Sequence, residues 1–318
     1  MGKNVLVTGG AGFIGSHVAD AYLARGDAVW VIDDLSSGAR ANLPAGVDFR
    51  QLDIRDPAVD GVFAEAGGFD IVNHHAAQID VRRSVRDPRF DASVNLDGLL
   101  NILEAGLRHG TGRFVMISSG GVVYGEAERR PTPEAAPKRP ASPYGVTKLA
   151  AEYYLWYYHA VRGLDYAALR YSNVYGPRQD PHGEAGVVAI FGSRVLDGEA
   201  LTIYGDGEQT RDYVYVGDVV KANLVVSDAE IAAAAALDDR AFNVGTGTET
   251  SVNQLAEAVM EVVETRVDTV HAPARQGELA RSALDAARLR SLGWSDEVAL
   301  AWGLAATVEH IAAGRGSP

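Results

Sequence analysis

The sequence predicts an α/β protein with a doubly wound parallel sheet and a smaller mixed α/β domain. Two observations favour this fold class. Short apolar segments alternate with longer segments of helical periodicity as far as about residue 171, which is typical of a parallel sheet covered by helices. Several of the short segments are apolar nearly throughout, as expected of strands that are buried on both faces.

The individual elements follow from these patterns. The predicted strands are, in order, 4–9, 28–33, 47–53, 70–76, 113–119 and 165–171, and the predicted helices between them are 13–25, 58–66, 89–109 and 144–162. The order is less regular after Arg178, where helices are expected at 185–198, from Gly217, and near 252–263, 285–292 and 297–312. The alanine-rich stretch 229–239 is expected to form a helix and a loop.

Composition excludes several classes of protein. The formal net charge of −13 argues against nucleic acid or an anionic membrane surface as the main partner. The absence of cysteine excludes disulfides, thiolate metal sites and a catalytic thiol, and the eight histidines show no ligand spacing, so no metal is expected. Neither a signal peptide nor a membrane helix of about 20 apolar residues is recognisable, which predicts a cytoplasmic protein.

A glycine-rich turn joins the first predicted strand to the first helix. In VLVTGGAGFIGS, Gly9, Gly12 and Gly15 have the spacing G-x-x-G-x-x-G, which lets helix N–H groups approach a pyrophosphate. Asp33 ends the second strand, where a carboxylate accepts hydrogen bonds from adenosine ribose and repels a 2′-phosphate. Asp33 and Asp34 would also suit a solvated turn. In this context the motif predicts a Rossmann-like domain that binds NAD rather than NADP.

A tyrosine and a lysine follow a helix start in SPYGVTK. Ser142 is the expected N-cap, and Tyr144 and Lys148 lie four residues apart on one helix face. A lysine ammonium near a phenol lowers the pKa of the tyrosine from about 10, so that it can act as base and acid near neutral pH. Coincidence is the alternative, because the chain has 13 tyrosines. Ser118 and Ser119 end the preceding strand and are candidate catalytic hydroxyls, although such hydroxyls often serve the local backbone.

Six motifs in order carry a resemblance to a known family. They are TGGAGFIGS, SSGGVVYGE, SPYGVTK, RYSNVYGPRQ, RDYVYVGDV and FNVGTG, and they resemble the extended short-chain dehydrogenase/reductase family across nearly the whole chain. Within it the chain is most similar to the nucleotide-sugar epimerases, above all the UDP-glucose 4-epimerases (UDP-galactose 4-epimerases). The resemblance implies reversible 4-epimerisation of a UDP-hexose through a transient 4-keto sugar and tightly bound NAD.

Several other functions remain open at this point. The alternatives are a 4-epimerase of UDP-N-acetylhexosamine or UDP-glucuronate, another NAD-dependent nucleotide-sugar oxidoreductase, and a non-catalytic dinucleotide sensor. Family members that eliminate water carry an acid just before the tyrosine of VVYG, where this chain has Gly120, Gly121 and Val122. A 3,5-epimerase of the GDP-mannose kind uses a cysteine, which is absent here. Many 4-epimerases carry Ser or Thr at the position of Gly120, so Ser119 is the expected substitute, unless Tyr144 acts directly or through water.

The resemblance also implies the residues of the binding sites. The cofactor-binding residues implied are Gly9, Gly12, Phe13, Ile14, Gly15, Asp33, Asp34, Leu35, Ser37, Gly38, Asp53, Ile54, His75, Ala76, Ala77, Gln78, Asn95, Tyr144, Lys148, Tyr171 and Val174. The substrate-binding residues implied are Ser119, Tyr144, Asn173, Val187, Tyr204, Arg211, Arg275 and Glu278. The two arginines suit a diphosphate, although a lone arginine is more often a surface charge. Ser282 stands where some 4-epimerases carry a bulky tyrosine, so space for an N-acetyl group is expected.

The sequence also leads to expectations about how the chain divides into domains and how it assembles. Residues 1–172 with 212–244 are expected to form the NAD-binding domain, and residues 173–211 with 245–318 the sugar-nucleotide-binding domain. The resemblance implies a homodimer in which helices 89–109 and 144–162 pair across a two-fold axis as a four-helix bundle. The segment YYLWYYH at 153–159 offers aromatic surface for this contact. Arg82, Arg83 and Arg86 are expected to form a solvated or interdomain patch.

Overall fold

The main sheet has seven parallel strands. The computed structural model describes residues 2–181, 186–275 and 279–315. With strands numbered in chain order, the sheet contains β1 (Asn4–Thr8), β2 (Ala28–Asp33), β3 (Asp48–Gln51), β4 (Ile71–His74), β5 (Arg113–Ser119), β6 (Tyr166–Tyr171) and β11 (Ala241–Val244). Their order across the sheet is β11-β6-β5-β4-β1-β2-β3, and each neighbouring pair is parallel. The predicted doubly wound fold class is therefore confirmed.

Three two-stranded pairings lie outside the main sheet. They join β7 (Asn173–Tyr175) with β10 (Tyr213–Tyr215), β8 (Leu201–Tyr204) with β13 (Thr269–Ala272), and β9 (Thr210–Arg211) with β12 (Thr250–Ser251). The first two pairs are parallel and the third is antiparallel. All six of these short strands lie between residues 173 and 272.

Twelve α-helical segments accompany the strands in the described ranges. They are α1 (Phe13–Ala24), α2 (Val59–Ala66), α3 (Val81–Arg86), α4 (Pro88–Ala92), α5 (Leu99–Arg108), α6 (Gly120–Val123), α7 (Pro143–Arg162), α8 (Val187–Leu196), α9 (Val216–Asp228), α10 (Val252–Val263), α11 (Ala287–Arg290) and α12 (Leu300–Arg315). A π-helical segment, Ser93–Gly98, joins α4 to α5, so the predicted helix 89–109 exists with an interruption. None of the helices in these ranges combines the length and apolar character that crossing a membrane requires.

Alternate side chains of the central strands enter two different cores. Val5 and Val7 of β1 pack in the cluster that includes α1 and α9, whereas Leu6 packs with α2, α5 and α7 on the other face. This alternation follows from the two-residue period of a strand. A third cluster, around Phe191 and Leu255, joins α8, α10 and α12 away from the main sheet. Apolar side chains are thus buried on both faces, which explains the continuous apolar runs in the sequence.

The expected helix in the alanine-rich stretch is not formed. Helix α9 ends at Asp228, residues 229–236 are irregular, and only a 3₁₀ turn, Leu237–Arg240, follows. The Asp239 carboxylate accepts hydrogen bonds from the N–H groups of Ala235 and Ala236, both at 2.8 Å. Local hydrogen bonds from the backbone to this side chain therefore override the helix propensity of alanine here.

Candidate active site

A large cleft runs along the carboxyl edge of the main sheet. Its volume is about 1710 Å³, above the roughly 300–1,000 Å³ of a site for one small ligand. Ligands of open parallel sheets bind at this edge. The predicted site residues that line the cleft are Gly9, Gly12, Phe13, Ile14, Gly15, Asp33, Asp34, Ser37, Asp53, Ile54, His75, Ala76, Ala77, Gln78, Ser118, Ser119, Tyr144, Lys148, Tyr171, Asn173, Val174, Tyr204, Arg211 and Arg275.

Five predicted residues are not placed on the wall of this cleft. Leu35, Gly38, Asn95 and Val187 lie outside its lining, and Glu278 falls outside the described residues. Gly38 packs against the backbone of the glycine turn, since a Cβ there would lie 2.9 Å from the carbonyl carbon of Ala11. Gly38 therefore supports the glycine turn from behind the cleft wall.

The glycine turn gives the cleft a surface of bare backbone. Gly9 has φ 69°, and a Cβ on it would lie 2.6 Å from the nitrogen of Ala76. A Cβ on Gly15 would lie 2.2 Å from the carbonyl oxygen of Gly9, so both positions require glycine. Gly12 is the N-cap of α1 and provides no side-chain cap, which leaves first-turn N–H groups for a ligand. The twelve-residue helix adds positive potential that suits a pyrophosphate.

Asp33 presents a carboxylate at the end of β2. Its Oδ2 accepts a hydrogen bond from the N–H of Ala11 at 2.9 Å, and its Oδ1 accepts one from the N–H of Leu35 at 2.8 Å. Burial raises the pKa of Asp33, and the backbone donors counteract this increase. Each oxygen keeps a second lone pair for a ribose hydroxyl. The predicted position of Asp33 beside the glycine turn is thus what an NAD site needs.

Three buried polar atoms of the cleft wall have no hydrogen-bond partner among the described residues. They are Nε2 of His75, Oγ of Ser172 and Oε1 of Gln179. Burial lowers the pKa of His75 to about 3, so its ring is neutral. Because buried polar atoms are normally paired, these atoms indicate a polar ligand on this wall. Together with the glycine turn and Asp33, they fit a dinucleotide.

Helix α7, which carries Tyr144 and Lys148, starts as the sequence predicts. The Ser142 hydroxyl accepts a hydrogen bond from the N–H of Gly145 at 3.1 Å, and Pro143 occupies the first turn. Tyr144 is 9% exposed and Lys148 is 4% exposed. The Lys148 ammonium donates a hydrogen bond to the carbonyl oxygen of Ile117 at 2.9 Å and lies 5.7 Å from the centroid of the Tyr144 ring.

Burial changes the pKa of both members of this pair. It raises the pKa of Tyr144, and the nearby Asp91 carboxylate adds to the increase. The expectation that Lys148 lowers the pKa of Tyr144 is therefore wrong for the protein alone, because the ammonium hydrogen-bonds the Ile117 carbonyl instead of the phenol. Burial also lowers the pKa of Lys148 to about 8, against the attraction of Asp91 and Glu152.

The titration of Lys148 is directly measurable, because the chain has only four lysines (Lys3, Lys138, Lys148, Lys221). In cofactor-free protein labelled with ¹³C,¹⁵N-lysine, we expect the Lys148 side-chain resonance to titrate with a midpoint near pH 8. The ammonium is charged below this pH and neutral above it. Single Lys→Arg substitutions at the other three positions assign the resonances. A Lys148 midpoint above about 10, the ordinary value, would contradict the burial argument.

The two serines at the end of β5 have different surroundings. The Ser118 hydroxyl donates a hydrogen bond to Oε1 of Glu152 at 2.5 Å and is buried, so its proton is already engaged. Ser119 lines the cleft, and its Oγ makes no hydrogen bond within the described residues. Of the two predicted hydroxyls, Ser119 is the one available to a ligand.

The two glycines that follow are not equivalent. A Cβ on Gly120 would lie 2.5 Å from Cδ1 of Leu284, so the Leu284 side chain fills the space of a larger residue. Gly121 lines the cleft, and the nearest atom to a Cβ there would be Oγ of Ser119 at 3.8 Å. Leu284 thus occupies the space that a side chain at position 120 would need, and open space lies at Gly121.

The cleft also has cationic and aromatic lining residues. Arg211 donates hydrogen bonds to the carbonyl oxygens of Thr210 and Leu279, both at 2.8 Å, which fixes its guanidinium. The Arg275 guanidinium lies 3.7 Å from the centroid of the Tyr204 ring. These residues and Asn173 all line the cleft.

Sequence reasoning missed several residues of this region. Arg178 also lines the cleft and is held by Oγ of Ser16 at 3.1 Å and by Asp20 at 2.7 Å. Its position directly after the YGP turn is the sequence signal that could have identified it as a cleft residue. Arg82 and Arg83, expected as a patch, line the cleft mouth.

An aromatic residue and a basic residue near the site, Tyr175 and Arg170, belong to the core. Tyr175 is buried, and its hydroxyl donates to the carbonyl oxygen of Leu300 at 3.3 Å. Arg170 is completely buried and pairs with Glu152 at 2.5 Å beneath the catalytic helix. Neither role had a local sequence signal.

Comparison with known proteins agrees with this geometry. The family model "NAD dependent epimerase/dehydratase family" matches residues 5–245. A UDP-glucose 4-epimerase of Mycolicibacterium smegmatis is 47% identical over 312 residues, covering 96% of this chain and 97% of that protein. Two solved structures are also similar: UDP-glucose 4-epimerase of Thermotoga maritima with UDP-glucose (TM-score 0.94, 45% identity, 98% of this chain and 99% of that chain) and UDP-glucose 4-epimerase of Thermus thermophilus in complex with NAD (TM-score 0.91, 44% identity, 99% and 100%). The glycine turn, Asp33 and the Tyr144–Lys148 pair lie within the matched segment, and the chain belongs to the NAD-dependent epimerase/dehydratase family.

Proposed function

We propose that this protein is an NAD-dependent enzyme that interconverts UDP-glucose and UDP-galactose by reversible epimerisation at C4. The observation that carries this proposal is the buried Tyr144–Lys148 pair on a cleft large enough for two nucleotides. The relatives described above are UDP-glucose 4-epimerases, and one of them binds UDP-glucose and another NAD. The same residues are compatible with a transient 4-keto sugar that never leaves the site.

The side chains of this protein move the proton of the sugar 4-hydroxyl. Tyr144 accepts this proton and later returns it, and the Lys148 ammonium stabilises the phenolate form. When bound, NAD accepts hydride from C4, returns it, and carries a positive charge in its oxidised form. Ser119 is the hydroxyl that lines the cleft and can orient the sugar hydroxyl towards Tyr144. Arg211 and Arg275 hold the diphosphate as a fixed pivot while the sugar turns over.

The wall beside Tyr144 favours epimerisation over elimination. An elimination at C5 and C6 needs an acid and a base close to those carbons. The cleft residues between 119 and 125 are Ser119, Gly121, Val122 and Gly125, none of which exchanges a proton near neutral pH. Open space at Gly121 also gives the keto sugar room to present its other face.

One observation supports a second substrate class. Ser282 is small, lines the cleft and is buried. A larger side chain at this position would fill space near the sugar. We therefore propose that UDP-N-acetylhexosamines are also accepted.

The proposed reaction is tested by proton NMR of purified protein with UDP-galactose and no added cofactor. We expect UDP-glucose to form without accumulation of a ketone or NADH. Parallel samples with UDP-N-acetylgalactosamine and UDP-glucuronate define which sugars fit. If all three sugars remain unchanged even with NAD supplied, the proposed function is wrong. Stoichiometric consumption of NAD would instead identify a net oxidoreductase.

We also propose a homodimer formed through α7 and the helical segment 88–108. Exposed apolar side chains on one helix support it: Val146, Tyr153, Tyr154, Tyr157 and Val161 are 39–62% exposed. A contiguous exposed apolar surface of this kind is typical of an interface. We likewise propose the division into an NAD-binding domain, residues 1–172 with 212–244, and a sugar-nucleotide-binding domain, residues 173–211 with 245–318. Strand β10 (Tyr213–Tyr215) falls in the first of these but pairs with β7, which falls in the second.

The dimer is tested by a double substitution, Tyr153→Glu with Tyr157→Glu. Burying two carboxylates in an apolar contact is costly, so we expect the mass in light scattering to fall from that of two chains to that of one. Val270→Glu, at an exposed valine on β13, is the matched control and should leave the mass unchanged. A wild-type protein with the mass of one chain would contradict the proposal.

A further inference from the structure

A buried carboxylate lies behind the catalytic pair and has no role in the reaction described so far. Asp91, on α4, is 0% exposed. Its Oδ1 accepts hydrogen bonds from the side-chain amides of Gln78 at 2.8 Å and Asn95 at 3.2 Å, and its Oδ2 accepts one from the Thr147 hydroxyl at 2.8 Å. All three donors are neutral. No cation forms a hydrogen bond or ion pair with Asp91 within residues 2–181, 186–275 and 279–315.

The partners of Asp91 belong to three walls of the site. Thr147 directly precedes Lys148 on α7, and its hydroxyl also lies 3.0 Å from the carbonyl oxygen of Tyr144. The backbone N–H of Gln78 donates to Oδ1 of Asn95 at 2.9 Å, and the Asn95 amide donates to the Gln78 carbonyl at 3.0 Å. The carboxylate is therefore fixed relative to the catalytic helix, the segment after β4 and the π-helical segment.

Two anions act on Lys148, and they differ in their own partners. Glu152, one turn further along α7, forms an ion pair with Arg170 at 2.5 Å, which compensates its charge. Asp91 has only neutral donors, so its charge is not compensated by its contacts. Both carboxylates raise the pKa of Lys148, and Asp91 hydrogen-bonds the residue that directly precedes Lys148 on α7.

The other ionisable groups around Lys148 are neutral near pH 7. Burial lowers the pKa of His74 and of His75 to about 3 each, so both rings at the end of β4 are uncharged. Burial raises the pKa of Tyr144, so its phenol is protonated in the protein alone. On β6, Tyr171 is buried with a raised pKa and accepts a hydrogen bond from the Asn223 amide at 2.6 Å. Asp91 is thus the uncompensated counter-charge available to the ammonium.

We propose that Asp91 is a positioning residue whose carboxylate keeps the Lys148 ammonium charged inside the buried site. Burial lowers the pKa of a lysine, in documented cases to about 5–6, and such a lysine is neutral at physiological pH. A neutral Lys148 stabilises no phenolate on Tyr144. The same carboxylate disfavours the Tyr144 phenolate in the protein alone, so the pair acquires its reactive form only with ligands in place.

The test compares the lysine NMR titration of wild type with that of Asp91→Asn, which removes the charge at nearly constant shape. We expect the Lys148 midpoint to fall from near pH 8 by on the order of one unit or more. Thr147→Val is the matched control, because it removes a hydrogen bond of Asp91 and keeps the charge. Its Lys148 midpoint should match wild type. Equal midpoints in wild type and Asp91→Asn would overturn the proposal.

Two further measurements keep the test decisive if Asp91→Asn does not fold. Asp91→Ser removes the same charge and leaves space for a water, and the same fall in midpoint is expected. The wild-type titration alone is also informative, since a Lys148 midpoint below about 6 would show that no effective counter-charge exists.

A kinetic measurement tests whether the charge of Asp91 also affects the proposed epimerisation. In Asp91→Asn, the alkaline limb of the pH profile of kcat/KM should move to lower pH by the same amount as the lysine midpoint. This arm rests on the proposed function, whereas the NMR arm does not. If the lysine midpoint shifts but wild type has no epimerase activity, the proposed function is wrong and the role of Asp91 is retained. If the midpoint shifts but the alkaline limb of kcat/KM stays in place, Asp91 has no role in turnover.

Discussion

Replacing Tyr144 with phenylalanine is expected to lower the rate of epimerisation by roughly 10²–10⁴-fold, the usual contribution of a positioned acid or base. Phenylalanine keeps the ring that α7 buries but has no hydroxyl to exchange a proton with the sugar. The phenol hydroxyl makes no hydrogen bond to another residue in the described ranges, so the fold should not suffer. We expect affinity for UDP-sugars and the melting temperature to stay close to those of wild type. The measurement is the turnover rate by NMR, with ligand affinity by calorimetry.

The control for Tyr144→Phe is Tyr153→Phe on the same helix. Tyr153 is 55% exposed and does not line the cleft, so its variant should keep full activity. Retention of more than about a tenth of wild-type turnover in Tyr144→Phe would reject the assigned acid–base role. Unchanged ligand affinity in a protein whose wild type has no turnover would favour a nucleotide sensor instead.

Replacing Arg170 with methionine is expected to destabilise the protein by about 3–5 kcal/mol, because it leaves a buried charge without its partner. Glu152 is 1% exposed and would lose its ion pair at 2.5 Å. The change also removes hydrogen bonds to the Tyr124 hydroxyl at 2.9 Å and to the Asp238 carboxylate at 2.7 Å. A fall in melting temperature on the order of 10 °C is expected. Chemical denaturation measures the loss of unfolding free energy.

The matched control is Arg266→Met, which breaks the surface ion pair with Glu257. Both of its side chains are more than 60% exposed, so water and salt screen the attraction. A change of less than about 1 kcal/mol is expected for such a pair. If Arg170→Met and Arg266→Met destabilise the protein equally, the buried network is not a main support of the catalytic helix.

Local chemistry made a large part of the fold and the site predictable. The glycine turn, Asp33 and the SPYGVTK helix start each depend on residues close in sequence, and each lies on the cleft as expected. The alternation of apolar runs with helical segments determined the main sheet, since burial on both faces requires apolar residues throughout.

The missed features depend on contacts between distant parts of the chain. Arg170 and Asp91 occupy positions where a charge usually faces water, and only the folded chain shows that each is buried with partners. The raised pKa of Tyr144 has the same origin, because burial outweighs the effect of a lysine one turn away. The missing helix in the stretch 229–239 is a different case, because the Asp239 carboxylate accepts hydrogen bonds from the N–H groups of Ala235 and Ala236, which are close to it in sequence.

In the proposed reaction, the site exchanges only hydride at C4 and the proton of the 4-hydroxyl. The most direct test is to convert unlabelled UDP-galactose in D₂O and examine the product by NMR and mass spectrometry. We expect UDP-glucose with no deuterium on any ring carbon, because Gly121, Val122 and their neighbours supply no group that removes a carbon-bound proton. Deuterium at C3 or C5 would show enolisation or elimination and would contradict the proposed reaction.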